Sequence, residues 1–130
     1  MKKLISKCIV MLSILMFSFT TYAEWTLVAE TTKRDKTYID FERIRKVEGY
    51  VYWWELSDYN SQLAPDIWSG VKYKQGDCKL FRYKYLSDKY FSLPMGKGDV
   101  KGGSNIPDKN WRYAPPKSAG EKILKSVCSR

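Results

Sequence analysis

The chain has 130 residues, of which 23 are lysine or arginine and 14 are acidic, and its formal net charge at neutral pH is +9. It contains three cysteines and no histidine. The usual general base near neutral pH is therefore missing, and metal sites of the Cys/His type are excluded on count. The carboxylates are scattered among lysines and strand ends. We expect a protein that is not an enzyme and that uses no cofactor or metal.

The first 23 residues have the three parts of a secretory signal peptide. Three lysines precede an apolar run over residues 9–19, and small residues stand near Ala23. The run is shorter than the ~20 apolar residues of a membrane span, so we favour cleavage after Ala23 over a transmembrane anchor. This predicts one exported domain over residues 24–130, without a span. Losing three lysines lowers the net charge from +9 to +6, which favours anionic partners, although export makes nucleic acid an unexpected one.

The first part of this domain predicts short strands. Alternating residues indicate strands over residues 24–29 and 37–40, and Asp40 is placed to cap a helical turn over residues 40–45. The strongest strand signal is YVYWWELSDY, residues 50–59. Both of its faces are partly apolar, so we expect a central strand. Its second face is either covered by a C-terminal helix or left open to a partner, and an open face would allow a homodimer.

Residues 68–91 predict a β-hairpin. Side chains alternate on both sides of Gln-Gly-Asp at residues 75–77, which we interpret as the turn. The apolar side chains would then face inward and the cations outward. The outward cations form one stripe, made of Lys72, Lys74, Arg82 and Lys84. This stripe is either a ligand-binding surface or a solvated face that protects an edge strand.

The rest of the chain predicts a long loop and a helix. Glycine and proline interrupt residues 92–114, apart from a short strand near Val100, and such a long loop in a small domain is often functional. Ser118 and Glu121 form a capping box, followed by an apolar helical stripe at Ala119, Ile123, Leu124 and Val127. The loop is also cationic, and its predicted ligand contacts are Lys97, Lys101, Lys109, Trp111 and Arg112.

Two cysteines, Cys78 and Cys128, lie in the predicted exported domain, whereas Cys8 lies in the signal peptide. In an oxidising compartment they are expected to form a disulfide that fastens the end of the chain to the hairpin. Loop-closure entropy gives such a bridge a stabilising contribution of about 4 kcal/mol. The alternative, a catalytic thiol, would have no histidine as its base.

The aromatic content is high, with five tryptophans, ten tyrosines and five phenylalanines. Most of these rings must build the core, and we assign Trp25, Tyr38, Trp54, Tyr73 and Phe81 to it. Others are harder to place inside. We predict exposed aromatics at Trp53, Trp68, Tyr90 and Trp111, because rings beside Lys and Arg are favoured at protein and sugar contacts.

Short sequence features occur in a defined order across about 100 residues of the domain. They are Trp25, TYID at residues 37–40, Ile44, Trp54, Asp58-Tyr59, Ser69, Lys72, Asp77-Cys78, Arg82, MGKG at residues 95–98, Trp111, Pro116, Ser118, Gly120, Leu124 and Cys128. In order and spacing they resemble the surface-adhesin E family. The resemblance implies an α+β fold, a small antiparallel sheet of about six strands with a C-terminal helix tied to it by one disulfide. It also implies binding of the host proteins laminin, vitronectin and plasminogen.

We therefore expect an exported, non-catalytic binding protein and, on the resemblance, an adhesin for host matrix or plasma proteins with a role in virulence. Two alternatives remain open. One is a periplasmic inhibitor of an enzyme such as lysozyme, although a cationic lysozyme would be repelled by a charge of +6. The other is a protein that binds anionic envelope glycan or lipopolysaccharide. No lipid-attachment cysteine stands at the cleavage site, so the periplasm and the cell surface both remain open.

Overall fold

The computed structural model describes residues 23–130, so the predicted signal peptide, apart from its last residue, Ala23, lies outside the described residues. Seven strands and one α-helix make up the domain. The strands are β1 (Thr26–Glu30), β2 (Lys36–Ile39), β3 (Arg45–Val47), β4 (Tyr50–Asp58), β5 (Ser69–Asp77), β6 (Arg82–Phe91) and β7 (Val100–Ser104), and the helix is α1 (Ala119–Cys128). In this part of the chain, no helix is long and apolar enough to cross a membrane.

All seven strands form one antiparallel sheet in the order β1-β2-β4-β5-β6-β7, with β3 also paired to β4. The predicted α+β architecture is therefore confirmed, including the central position of β4. The strand beyond the expected six is β3, which consists of three residues. It lies partly in a stretch that the sequence predicted as a turn.

The connection between β2 and β3 is a single 3-10 turn, Phe41–Arg43. Asp40 holds it: one carboxylate oxygen accepts from the Glu42 N–H at 3.2 Å, and the other accepts from Arg43 Nε at 2.6 Å. The predicted helical turn with an Asp40 cap is confirmed. Because this turn is so short, β2 and β3 pair with different parts of the same edge of β4.

The turn of the central hairpin was predicted in the wrong place. β5 continues through Asp77, and residues 78–81 make the turn. Asp77 closes this turn by accepting from the backbone N–H groups of Lys79 and Leu80, each at 3.2 Å. Gly76 is needed for packing instead, since a Cβ there would lie 2.9 Å from the Trp53 ring and 3.1 Å from Leu124.

Helix α1 lies on one face of the sheet and completes the core. Ile123, Leu124 and Val127 are buried against a set of sheet residues, Ala29, Ile39, Val51 and Trp53. Ser118 caps the helix by accepting from the Glu121 N–H at 3.1 Å. The second half of the predicted capping box does not form, because the Glu121 carboxylate pairs with Lys125 at 3.1 Å.

The predicted disulfide is confirmed between Cys78 and Cys128. It joins the turn after β5 to the last residue of α1, with the two Cα atoms 5.6 Å apart. The end of the chain is therefore fastened to the central hairpin. The bridge holds α1 against one face of the sheet, and the other face has no α-helix among the described residues.

Candidate functional site

The two faces of the sheet have different surroundings. One face carries Val51 and Trp53 and packs against α1; we call it the covered face. The other carries Tyr50, Tyr52 and Trp54, because consecutive residues of a strand point to opposite sides. We call it the open face. Cross-strand register places Tyr73 opposite Trp54 on the open face, and Lys74 opposite Trp53 on the covered face.

Five aromatic rings lie along the open face. The Trp54 and Tyr73 rings stack with centroids 4.7 Å apart, and the Tyr52 ring lies 6.2 Å from that of Tyr73. Further along, the Tyr50 ring stacks on Trp111 at 5.8 Å. All five residues are half-buried. Together they form the aromatic face, which consists of Tyr50, Tyr52, Trp54, Tyr73 and Trp111.

Three cations lie directly over these rings. The guanidinium carbon of Arg43 is 5.4 Å from the Trp54 centroid. Arg82 and Lys84 both lie over Trp111, at 4.5 and 4.7 Å. Such cation–π contacts add attraction between a ring and a cation that stays near solvent. Arg43 and Arg82 are each paired with an aspartate, so Lys84 is the cation of the three that carries an unbalanced charge. The aromatic face therefore presents rings and cations together.

Local structure explains how the outer members of this face are positioned. Arg82 is held by the Asp77 carboxylate, with its Nε 2.9 Å from the nearer oxygen. The Arg112 backbone pairs with Tyr83 through two hydrogen bonds of 2.9 and 2.8 Å. This pairing fixes the segment beside β6, so the neighbouring residue Trp111 lies against Tyr50. Loop residue Trp111 is thereby positioned by a backbone bridge to β6.

The predicted cationic stripe is divided between the two faces. Arg82 and Lys84 lie on the open face, as their contacts with Trp111 show. In the register of β4 and β5, Lys72 lies opposite Glu55 and Lys74 lies opposite Trp53. Both lysines therefore lie on the covered face. One extra residue in β6, at the register shift between Tyr73 and Lys74, also interrupts the alternation. The prediction of a single outward stripe is wrong.

Lys74 is buried, contrary to its predicted place on an exposed surface. Its side chain is 7% exposed, and its Nζ lies 2.8 Å from Glu55 Oε2. The other Glu55 oxygen accepts from the Trp53 ring N–H at 3.2 Å. Burial raises the pKa of Glu55, but the charge and hydrogen bond of Lys74 outweigh burial and leave that pKa lowered. Burial lowers the pKa of Lys74, and Glu55 reverses this effect and leaves it raised.

The prediction of exposed aromatics is wrong for Trp53, which is 1% exposed and belongs to the core. Trp68 and Tyr90 are half-buried. The Tyr90 ring packs on Gly70 of the covered face, where an added Cβ would lie 3.0 Å from it. Trp54 and Tyr73, predicted as core, are half-buried on the open face instead. Core and surface roles were therefore exchanged between the neighbours Trp53 and Trp54.

The predicted loop residues do not form one surface. Lys97, Lys101 and Lys109 are exposed at separate points of the segment after β6. Arg112 lies over the Tyr85 ring at 4.6 Å, and its Nε is 2.7 Å from an Asp108 oxygen. Of the predicted ligand contacts, the structure brings together Arg82, Lys84 and Trp111 on the open face. Lys72 and Arg112 meet on the covered face, beyond the helix, where both line one cavity.

Several members of the open face were missed by sequence reasoning. Arg43 was not singled out because its side chain reaches Trp54 only after the 3-10 turn has formed. Tyr50, Tyr52 and Trp54 alternate along β4 and therefore share one face, and this spacing was the available signal. Within residues 23–130, no group of three or more Cys, His, Asp or Glu side chains is arranged to hold a metal ion.

One helix-covered face and one face of rings and cations make this protein a small α+β domain. The model of the family described as surface-adhesin protein E matches residues 25–129. The chain therefore belongs to the surface-adhesin protein E family, and the resemblance seen in the sequence is confirmed. No curated protein matches the chain at the level of sequence.

Solved structures of protein E from Haemophilus influenzae share the fold. One crystal form is 13% identical and superimposes with a TM-score of 0.65, covering 85% of this chain and 91% of that one. A selenomethionine form is 14% identical with a TM-score of 0.62, covering 85% and 93%. Protein E from a non-typeable strain is 13% identical with a TM-score of 0.55, covering 86% and 79%. At this identity, the likeness concerns the fold alone.

Proposed function

We propose that this protein is a non-enzymatic surface adhesin that binds a host protein through its aromatic face. The observation that carries the proposal is the row of rings from Trp54 to Trp111, which no helix covers and over which three cations lie. Membership of a family of surface adhesins supports the same role. The candidate ligands, by family resemblance, are laminin, vitronectin and plasminogen.

The composition of the aromatic face suits a protein partner. Tryptophan, tyrosine and arginine are the residues most enriched among those that dominate binding energy at protein interfaces. The rings are also already stacked on one another and on cations, so little side-chain freedom remains to be lost on binding. Lys84 makes no ion pair within 4.0 Å among the described residues. It is free to meet an acidic patch on the partner.

Charge reversal at two lysines tests the proposal. Lys84→Glu changes the open face, whereas Lys122→Glu makes the same charge change on the exposed side of α1, across the sheet. We expect the first variant to lower the association rate for immobilised laminin, vitronectin or plasminogen about tenfold, because complementary charge steers association. The matched control should bind as wild type does. Equal effects of both variants would show only a response to net charge and would contradict the proposal.

Salt separates the contributions of charge and rings. Raising the salt concentration from 0.15 to 0.5 M shortens the screening length and should weaken the charge-dependent part of binding. Trp111→Ala should instead increase the dissociation rate, since truncating an aromatic anchor of an interface costs about 2 kcal/mol or more. If neither the higher salt concentration nor Trp111→Ala weakens binding, the contact lies elsewhere on the molecule.

An adhesin must also be displayed outside the cell. Protease or an antibody against the domain, added to intact cells with a periplasmic marker as control, tests this requirement. Access while the marker stays protected is the expected result. Protection until the outer membrane is broken would contradict surface display. It would then favour the alternative of a periplasmic protein that inhibits an envelope enzyme or binds anionic glycan or lipopolysaccharide.

A further inference from the structure

A cavity of about 360 Å³ lies on the covered face, beyond the region that the helix occupies. One wall is β6, with Tyr85, Asp88 and Tyr90, and the opposite wall is the segment that contains Ile106 and Arg112. Lys72 enters from β5. A volume of this size lies at the lower end of the range that holds small-molecule ligands. The cavity is separate from the aromatic face, which lies on the other side of the sheet.

Lys72 is the cation of this cavity that lacks an ionic partner. Its neighbour Lys74 is neutralised by Glu55 at 2.8 Å, and Arg112 is bound to Asp108 at 2.7 Å. Lys72 donates to the Ser57 hydroxyl at 3.1 Å. No carboxylate among the described residues comes within 4.0 Å of its ammonium. A half-buried ammonium without an anion is an energetic cost that a bound carboxylate would remove.

The electrostatics agree with this geometry. Burial lowers the pKa of Lys72, and the charge of Lys74 lowers it further, while Glu55 and Asp88 act in the opposite direction without restoring it. A ligand anion beside Lys72 would stabilise the charged ammonium. The cavity therefore calls for one negative charge at this point. The cavity's own two carboxylates, on Asp88 and Asp108, disfavour a ligand with several negative charges.

The remaining lining matches a ring that carries hydroxyl groups. One Asp88 oxygen accepts from the Ser104 N–H at 2.8 Å, which fixes the carboxylate in the cavity wall, where a ligand hydroxyl can donate to it. Tyr85 and Tyr90 supply ring surfaces and phenolic groups. Ile106, which is 81% exposed, forms an apolar rim. Rings, hydroxyls, one accepting carboxylate and one cation are together suited to a sugar that carries a single carboxylate.

We propose that this cavity binds an acidic sugar, a pyranose with one carboxylate, such as a uronic or sialic acid. The ligand carboxylate pairs with Lys72, its hydroxyls donate to Asp88, and its ring lies between Tyr85 and Tyr90. The sugar is either a free monosaccharide or the terminal residue of a glycan. Because the site lies on the other side of the sheet, it can exist whether or not the aromatic face binds a host protein.

Titration followed by NMR tests the assignment. Glucuronic acid and N-acetylneuraminic acid are added to the labelled domain, with glucose, N-acetylglucosamine and acetate as matched probes. We expect the acidic sugars to shift the backbone amides of Tyr85, Asp88 and Ser104, and the neutral sugars and acetate to bind at least tenfold more weakly. Shifts that are absent, equal for acetate, or equal for neutral sugars would overturn the proposal.

Two variants locate the contacts. Lys72→Met keeps the length of the side chain and removes its charge, and should weaken binding at least tenfold, because a charge-assisted hydrogen bond is lost. Lys122→Met makes the same change on the exposed side of α1, outside the cavity, and should leave binding unchanged. If Lys72→Met does not fold, Asp88→Asn serves instead, since its amide oxygen still accepts from Ser104. Unchanged affinity in the folded variant would overturn the proposal.

Methyl glycosides of the same acids distinguish the two sources of the ligand. Binding of the glycoside and the free acid alike would indicate that the anomeric position faces solvent and that the site reads the end of a glycan. Binding of the free acid alone would assign a soluble monosaccharide. Failure of both, in a protein that still binds laminin, vitronectin or plasminogen, would overturn the cavity proposal and leave the adhesin proposal standing.

Discussion

Trp53 and Trp54 are neighbours in β4, and their surroundings summarise the difference between the two faces. Trp53 is 1% exposed, packs beneath α1 and donates its ring N–H to Glu55. Trp54 is half-buried, stacks on Tyr73 and lies under Arg43. One face is therefore closed by α1, whereas the rings on the other face are protected by one another and by cations. A large aromatic surface can remain accessible when charged side chains keep it hydrated.

The largest expected effect comes from truncating each of these tryptophans in turn. Trp53→Ala should lower the free energy of unfolding by about 3–5 kcal/mol, because it leaves a cavity in the core. Trp54→Ala should cost clearly less, since its ring is already partly in water. Chemical denaturation of both variants measures the difference. Equal losses would mean that the open face is as much a part of the core as the covered face.

Removing the disulfide should have the next largest effect on the covered face. Replacing Cys78 and Cys128 together by serine releases a bridge between residues 50 apart in sequence, and the expected loss is about 4 kcal/mol. Because the bridge anchors the end of α1, amide exchange should accelerate in α1 more than in the strands. Reduction of the wild-type protein serves as an independent control. A protein whose helix keeps its protection after reduction would contradict this account.

The buried pair of Glu55 and Lys74 should give a somewhat smaller loss that depends on pH. Glu55→Gln leaves Lys74 charged and buried without its anion, and we expect a loss of about 3 kcal/mol. Adding Lys74→Met to this variant should recover most of the loss, while the glutamine oxygen still accepts from Trp53. Thermal unfolding of the single and double variants makes the comparison. A double variant no better than the single one would show that the pair is not the cause.

The sign of the pH dependence follows from the two pKa shifts. The pKa of Glu55 is lowered from 4.5 in the folded protein, so its stabilising contribution is present above about pH 4.5 and is lost as pH falls through the folded-state pKa. The pKa of Lys74 is raised from 10.5 in the folded protein, so its contribution is present below about pH 10.5 and is lost as pH rises through the folded-state pKa. The double variant should lack both dependences. Parallel pH profiles for wild type and double variant would contradict this assignment.

Much of the fold could be predicted from the sequence because it depends on local patterns. Alternation identified β1, β2, β4 and the strands of the central hairpin, and Asp40 and Ser118 identified the two caps. The count of cysteines in a chain that was predicted to be exported identified the disulfide. The strand β3 was missed because three exposed residues carry no alternating pattern. These elements could be predicted without knowing the order of the strands in the sheet.

The candidate site was harder to predict because it depends on register. Both faces of β4 are partly apolar, so alternation alone could not show which of them α1 covers. Placing the turn at Gly76 hid the close packing of that residue against Trp53 and Leu124. Lys74 can be buried because it pairs with Glu55, which lies on β4 two residues beyond the position opposite Lys74. Only the register of the paired strands reveals this ion pair. The cations were recognised as important, but their division between the faces was not.

The most direct test of the aromatic face is to footprint it with a ligand bound. Hydroxyl-radical oxidation of tryptophan and tyrosine would be measured in the free domain and in its complex with laminin. We predict slower oxidation of Trp54, Tyr73 and Trp111 in the complex, with Trp53 slow in both states and Tyr90, across the sheet, unchanged. Protection of Tyr90 with no change at Trp54 and Trp111 would contradict the claim that the open face is the adhesive one.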